Sequence, residues 1–190
     1  MGKLVVTEFV TVDGVFEDPG GSENQERGGW AFQFNRGEDG DRFKLDETME
    51  TEALLLGHKT YEGFAASWPE REGEFADKFN SMPKYVVSKT LKDPEWENTT
   101  VIGGDDPAAE IRKLKEEIDG PIAVHGSGKV VKLLLDEGLV DEVRLMVFPV
   151  IVGRGKRLFL DHTVENPLEL AEVRTVGDDG VIVQIYRPRK

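Results

Sequence analysis

Hydrophobic positions along the chain fall into short runs separated by glycine-rich or charged segments. Lys3–Thr11 is rich in β-branched residues with partial alternation, and the turn signal Asp13-Gly14 follows it, which predicts an opening strand. Continuous apolar runs at Ala53–Gly57 and Pro121–Val124 predict buried strands. Each run passes through glycine into a helical pattern, so the chain has two similar strand-to-helix junctions.

The rest of the pattern predicts further helices and strands, and the last part of the chain predicts strands alone. Helices are predicted at Asp41–Thr51, His58–Phe64, Pro107–Ile118 and Lys129–Glu137. Further strands are predicted at 85–87, 100–102, 141–152, 169–176 and 181–187. The last two strands flank the hairpin signal Gly177-Asp178-Asp179-Gly180. Alternating helices and strands, followed by antiparallel strands near the C-terminus, predict an α/β fold with a mixed sheet, in one domain over residues 1–190.

On the first predicted helix, Leu45, Met49 and Ala53 fall on one stripe, which predicts its buried face, and Asp46 lies at the edge of that stripe.

A long glycine-rich segment, residues 16–40, separates the first strand from this helix. Within it Trp30, Phe32 and Phe34 alternate with smaller or polar residues, which in an extended chain would place three rings on one side. The rings are interpreted either as an anchor packed on the core or as a wall for a flat heteroaromatic ligand.

Composition narrows the possible chemistry. The 190 residues are 38% hydrophobic and include no cysteine, so a full core is possible, whereas disulfides, thiol nucleophiles and cysteine-ligated metals are not. No signal peptide or membrane span is expected, which fits a cytoplasmic protein. The net charge of −13 and the lack of a basic cluster argue against nucleic acid. The three histidines, His58, His125 and His162, lack metal-ligand spacing, so no metal site is expected.

The two glycine junctions are the strongest candidates for binding chemistry. A glycine turn that leads into a helix presents free backbone N–H groups and the positive end of the helix dipole to an anion. The junction at Gly126–Gly128 matches neither the dinucleotide G-x-G-x-x-G pattern nor the P-loop, so one junction alone could be a structural turn. Two junctions, with Lys59, Lys89 and Lys129 beside them, favour an extended polyphosphate such as a dinucleotide.

The order of these segments also resembles a known family. The segments are VTVDG ending at residue 14, ALLLGHKTYEGF at 53–64, YVVSKT at 85–90, VIGG at 101–104, IAVHGSGKVVKLLL at 122–135 and DEVRLMVFPVIVGRGKRLF at 141–159. Together they resemble the dihydrofolate-reductase-like family, in particular the C-terminal reductase domain of the riboflavin-biosynthesis protein RibD and its stand-alone bacterial relatives.

That resemblance implies a three-layer dihydrofolate-reductase-like fold and an NADPH-dependent reductase of a small nitrogen heterocycle, similar to the 5-amino-6-(5-phosphoribosylamino)uracil reductase of riboflavin biosynthesis. It also implies a homodimer. Dihydrofolate reduction, or NADPH binding without turnover, remain the alternatives. The implied cofactor-binding residues are Gly57, His58, Lys59, Thr60, Ser88, Lys89, Gly126, Ser127, Gly128 and Lys129.

Two of these positions depart from the family pattern. His58 stands in place of the usual arginine, and Lys89 in place of the arginine that follows the serine. Because neither side chain offers the bidentate guanidinium fork, the preference for NADPH over NADH is expected to be weaker.

The proton donor is not marked unambiguously. Asp13 is a candidate because the resemblance places its turn near the nicotinamide, although a turn aspartate has an ordinary structural role. Asp46 is a candidate because dihydrofolate reductases carry a buried acid on the first helix. Phosphate on the substrate would need cationic partners, for which Arg27, Arg36, Arg154 and Arg157 are the options.

Overall fold

The computed structural model describes residues 1–159 and 164–189. Its strands are β1 Lys3–Thr11, β2 Ala53–Gly57, β3 Lys84–Val87, β4 Thr99–Ile102, β5 Pro121–Val124, β6 Glu142–Phe148, β7 Leu168–Val176 and β8 Val181–Pro188. Its α-helices are α1 Gly37–Glu50, α2 His58–Ser67, α3 Glu74–Ser81, α4 Pro107–Glu117 and α5 Gly128–Asp136. A short 3-10 helix occupies Trp30–Gln33.

The eight strands form one mixed sheet in the order β4-β3-β2-β5-β1-β6-β8-β7. The six strands from β4 to β6 are parallel, whereas β8 pairs antiparallel with β6 and β7 pairs antiparallel with β8. The predicted α/β fold with antiparallel C-terminal strands is therefore confirmed. Parallel pairing brings the carboxyl ends of β1, β2, β3 and β5 to one edge of the sheet, called the carboxyl edge below.

The sheet is covered on both faces around β2, which explains why that strand is a continuous apolar run. Leu55 packs in the cluster formed with α4 and α5, while Leu54 and Leu56 pack in the cluster formed with α2 and α3. All five β2 residues are buried. Because successive side chains point to opposite faces, only a strand covered on both faces needs apolar residues at every position.

Helix α1 differs most from its predicted form. It begins at Gly37, and its buried side chains include Lys44, Glu47 and Thr48, whereas Met49 is 41% exposed. The predicted Leu45, Met49 and Ala53 stripe is therefore wrong as the buried face. The reason is that α1 packs against polar side chains of the sheet, so the apolar periodicity misplaces its inward face.

The aromatic segment is not extended. Trp30 lies in the 3-10 helix, is 1% exposed, and packs edge-to-face on Phe148 with ring centroids 5.5 Å apart. Phe34 also packs near Phe148, but Phe32 is 79% exposed. The helical turn separates the rings, so the prediction of three rings on one side is wrong. The interpretation as an anchor is confirmed for Trp30.

Two other differences are smaller. Helix α3, Glu74–Ser81, was not predicted from the pattern, although its Phe75 and Phe79 pack with Trp68. The sixth strand ends at Phe148 rather than 152, because the chain turns at Pro149.

Candidate functional site

The two predicted glycine junctions meet at the carboxyl edge. The Gly57 backbone N–H donates to the Gly126 carbonyl at 3.1 Å, because β2 and β5 are neighbours in the sheet. A Cβ on Gly57 would lie 2.5 Å from Ser127 Oγ, so only glycine allows this approach. Gly126 has φ +58, and a Cβ there would lie 2.9 Å from Thr60 Oγ1. The glycines are therefore required by the contact between the junctions.

The helices that begin at these junctions have unusual N-termini. Helices α2 and α5 have no side-chain cap and no acidic residue in the first turn. The other three described α-helices each carry at least one acid in the first turn. In a chain with a net charge of −13, the two helix ends free of acid are those that meet at the carboxyl edge. Their free N–H groups and dipoles favour an anion there.

A cluster of polar side chains lies at the end of β3, next to the α2 junction. His58 Nδ1 lies 3.1 Å from Ser88 Oγ and 3.1 Å from Thr90 Oγ1. Lys89 points away into solvent, where its Nζ donates to Asp105 at 3.0 Å. The structure thus brings His58 and Ser88 together, while Lys89 is placed at the periphery.

Glu8 is an acidic residue of β1 that the sequence analysis missed. The side chain is half-buried, and its Oε1 is buried without a hydrogen-bond partner among the described residues. A Cβ on Gly126 would lie 3.4 Å from Oε1, which places the carboxyl group beside the second junction. Burial raises the pKa of Glu8 to about 8, against the opposing effects of Lys44 and the Gly126 backbone. The sequence signal that could have identified this residue is a single glutamate within a mostly apolar strand.

A buried polar network joins α1 to β1. The Lys44 ammonium donates to Glu47 Oε2 and, at 2.8 Å, to Thr7 Oγ1, and the Thr7 hydroxyl donates to Glu47 Oε2 at 2.8 Å. Burial alone would raise the pKa of Glu47, but the Lys44 charge and these hydrogen bonds bring it below its ordinary value. The network therefore holds an ionised carboxylate inside the protein.

His125 directly follows β5 and lies against side chains of α2 and α3. Its ring lies 5.9 Å from the Phe64 ring and 5.6 Å from the Phe79 ring, measured between centroids. Burial, together with the Lys44 charge, lowers the pKa of His125 to about 3. The imidazole is consequently neutral near pH 7, so it can accept or donate a hydrogen bond but brings no charge to the site.

The two acids predicted as proton donors occupy different surroundings. Asp13 accepts hydrogen bonds from Thr11 Oγ1 at 2.6 Å and from the Gly153 backbone at 2.8 Å, and these bonds lower its pKa. Its contacts tie the end of β1 to the loop after β6. Asp46 is exposed and pairs with Arg42 at 2.9 Å. The buried acid of the first helix is therefore Glu47, one residue beyond the prediction.

The arginines considered for a substrate phosphate are all engaged elsewhere. Arg27 donates to the Val152 carbonyl, and Arg36 pairs with Asp41 at 2.6 Å. Arg154 lies 3.7 Å from Glu26, and Arg157 donates to the Asp13 carbonyl at 2.9 Å. Three of these contacts join the segment after β1 to the loop after β6, and the Arg36–Asp41 pair lies at the start of α1.

Within residues 1–159 and 164–189, no three His, Asp or Glu side chains are grouped to hold a metal ion, and His162 lies outside these ranges. No helix in the described part of the chain has the length and apolar character needed to cross a bilayer.

Comparison with known proteins agrees with the fold. The chain is 28% identical to the uncharacterized protein YyaP of Bacillus subtilis (strain 168) over 189 residues, covering 97% of this chain and 94% of YyaP. It matches the structure of a "Putative riboflavin biosynthesis protein" from Shewanella sp. PV-4 with a TM-score of 0.79 and 18% identity, over 99% of each chain. Dihydrofolate reductase from Enterococcus faecalis, complexed with NADP(H), gives a TM-score of 0.64 at 14% identity, over 99% of this chain and 97% of that one.

These similarities establish a dihydrofolate-reductase-like fold. The sequence pattern that defines the RibD C-terminal domain matches residues 2–182, which is nearly the whole chain. The protein is therefore a member of the RibD C-terminal domain family.

Proposed function

We propose that the protein is an NADPH-dependent reductase of a small nitrogen heterocycle, acting on a compound like the aminouracil reduced in riboflavin biosynthesis. One observation carries the proposal: two uncapped helix N-termini without acidic residues meet at the carboxyl edge of a strongly acidic protein. Such a pair suits the two phosphates of a dinucleotide, because each helix offers free N–H groups and a positive dipole end.

The residues present fit such a cofactor. The backbones of Gly57 and Gly126 would approach its phosphates closely, since side chains there would occupy the space between the junctions, and Gly128 begins α5 beside them. Thr60, Ser127 and the exposed Lys59 and Lys129 would add hydrogen bonds and charge. His58 and Ser88 would face the 2′-phosphate, with Lys89 at the periphery. When bound, the cofactor supplies a hydride.

The substrate ring would lie against the polar side of α1 and β1. Thr7, Lys44 and Glu47 are already fixed to one another there, and neutral His125 offers a hydrogen-bonding ring nearby. Phe34, half-buried, and the exposed Phe32 are the remaining aromatic candidates for a wall of this site, since Trp30 is packed in the core. Such preformed side chains would orient a ring without further ordering.

Three acids compete for the role of proton donor. Asp13 and Asp46 were predicted from sequence, but hydrogen bonds from Thr11 and from the loop after β6 lower the pKa of Asp13, and Asp46 is exposed to solvent. Glu8 retains its proton near pH 7 and lies beside the second junction. A general acid needs a pKa near the working pH, so Glu8 is the best placed of the three.

The first experiment is titration of the purified protein with NADPH and, separately, with NADH, following quenching of tryptophan fluorescence. Micromolar binding of NADPH, about −8 kcal/mol, and weaker binding of NADH are expected. Absence of binding by either cofactor would remove the reductase proposal.

A screen of aminopyrimidines and pteridines for NADPH oxidation then separates the alternatives. Oxidation with dihydrofolate alone would identify a dihydrofolate reductase. Tight binding without oxidation by any compound would identify a cofactor-binding protein without turnover. We also propose a cytoplasmic homodimer, as the family resemblance implies, and sedimentation velocity tests this assembly.

A further inference from the structure

A cavity of about 330 Å³ lies between α1 and the strands β6, β7 and β8. It is separate from the glycine junctions, none of whose residues lines it. Its size falls within the range of small-molecule pockets, about 300–1,000 Å³. The lining side chains are Asp39, Arg42, Phe43, Asp46, Glu47, Glu50, Arg144, Arg174 and Ile185. Four carboxylates therefore face three guanidinium groups.

Every guanidinium group of this cavity already has an acidic partner. Arg42 pairs with Asp46 at 2.9 Å and Arg174 with Glu172 at 3.1 Å. Arg144 pairs with Glu142 at 2.6 Å, through a contact on its Nε. An anionic ligand would have to compete with these carboxylates, so the cavity is poorly suited to phosphate or carboxylate groups.

Two of the cavity's carboxylates, by contrast, have acceptor capacity left. Glu47 is 5% exposed, and its Oε1 has no hydrogen-bond donor among the described residues. Arg144 NH1 lies 3.6 Å from that atom, beyond hydrogen-bond distance. Glu50 lies at the exposed side of the cavity, and its side chain has no ion pair or hydrogen bond in the described residues. Its charge helps to raise the pKa of Arg144. A buried acceptor without a donor is costly unless a ligand satisfies it.

The rest of the lining favours a flat ligand. Phe43 and Ile185 are half-buried and provide the apolar part of the wall. We propose that this cavity binds a small planar organic cation, whose ring lies against Phe43 and Ile185 and whose N–H groups donate to Glu47 Oε1 and Glu50. The cavity shares Glu47 with the proposed substrate site but is lined by none of the junction residues, and this proposal does not depend on NADPH binding or turnover.

Three probes of nearly equal shape test the charge preference: benzamidine, which is cationic, benzamide, which is neutral, and benzoate, which is anionic. Isothermal titration calorimetry of the full-length protein at pH 7 should show benzamidine binding at least about tenfold more tightly than the other two. Equal or tighter binding of benzoate would overturn the proposal, because the arginines would then govern the cavity. Failure of all three probes to bind at millimolar concentration would overturn it as well.

Variants then locate the binding. Glu47→Gln and Glu50→Gln should each weaken benzamidine binding, Glu47→Gln by at least about tenfold. Glu117→Gln, an exposed carboxylate on α4, is the matched control and should leave the affinity unchanged. Unchanged affinity in both cavity variants would place the ligand elsewhere and contradict the proposal.

Because Glu47 also belongs to the buried network, its variant could lose the fold. Ile185→Trp provides a test that leaves the network intact, since the larger side chain would fill the cavity and abolish benzamidine binding. Retention of binding in folded Ile185→Trp protein would overturn the proposal. Far-ultraviolet circular dichroism establishes the fold of each variant.

Discussion

Lys44 and Glu47 form an ion pair on the buried face of α1, with Thr7 of β1 hydrogen-bonded to both side chains. Replacing one partner of such a pair leaves the other charge buried without compensation, which typically costs about 3–5 kcal/mol. Lys44→Met should therefore lower the free energy of unfolding by about 3 kcal/mol, measured by urea denaturation. Lys113→Met, which breaks an exposed pair with Glu117, should change it by less than about 1 kcal/mol.

The same pair predicts sensitivity to acid. Since the pKa of folded Glu47 is below its ordinary value of 4.5, its stabilising effect is present above pH 4.5 and is lost as the pH falls through the folded value. The stability difference between wild type and Lys44→Met should therefore narrow in acid. A constant difference from pH 7 to pH 3 would contradict the assignment.

Glu8 predicts the opposite pH dependence. Its folded pKa of about 8 exceeds the ordinary 4.5, so the folded state retains a proton that the unfolded chain releases. Stability is therefore unaffected below pH 4.5 and decreases as the pH rises toward 8. Glu8→Gln, which keeps a neutral side chain, should stay within about 1 kcal/mol of wild type at pH 5 and exceed its stability by about 4 kcal/mol at pH 8. Parallel curves for the two proteins over this range would show that Glu8 is not buried as a neutral acid.

Two glycines of the α2 region provide a matched pair of substitutions. Gly57→Ala should destabilise the protein by about 1–3 kcal/mol and abolish cofactor binding, because its Cβ would lie 2.5 Å from Ser127 Oγ. Gly63→Ala should instead stabilise it by up to about 1 kcal/mol, since Gly63 is inside the helix and a Cβ there meets no atom within 4 Å. Thermal unfolding and NADPH titration of both variants check these results. Equal effects at the two positions would argue against a close junction.

His58 should contribute to recognition of the 2′-phosphate. His58→Ala should reduce NADPH affinity about tenfold and leave NADH affinity nearly unchanged, because only NADPH carries that phosphate. Lys89→Ala should have a smaller effect, since its ammonium is directed toward Asp105. Equal losses for the two cofactors would place His58 at a phosphate that both of them share.

Turnover separates the three candidate acids. Glu8→Gln should lower kcat at least about a hundredfold if this group donates the proton, and should remove the upper limb of the pH profile. Asp46→Asn should leave kcat near that of wild type, because the side chain is exposed and paired with Arg42. A large loss in Asp13→Asn with an unchanged free energy of unfolding would favour the original assignment to Asp13.

The fold could be predicted from the sequence where apolar patterning follows the burial of strands. The continuous apolar run of β2 predicts burial on both faces, and the hairpin signal between the last two strands predicts antiparallel pairing. Both features are local in the sequence, and the structure contains both. Helix α1 could not be assigned a face in the same way, because its inward residues are charged. Their partners, Thr7 and Arg144, are distant in sequence and become neighbours only when β1 pairs with β6.

The site was predictable to a similar extent. Gly57 and Gly126 indicate the two junctions in the sequence, because the close approach of the two backbones requires glycine at these positions. The choice of acid depends on burial, which the sequence does not display directly. Hence Asp46 was selected where Glu47 is the buried acid, and Glu8 was overlooked inside an apolar strand.

The central position of β1 has a consequence for synthesis of the chain. This strand precedes both of its neighbours in the chain, since β5 and β6 begin only at residues 121 and 142. During translation β1 therefore has no strand to pair with, and its apolar side chains stay exposed, until β5 and β6 have left the ribosome. Long-range pairing of this kind slows folding and exposes intermediates to aggregation. Nascent chains that stop before residue 121 should consequently depend on chaperones more than chains that extend through β8.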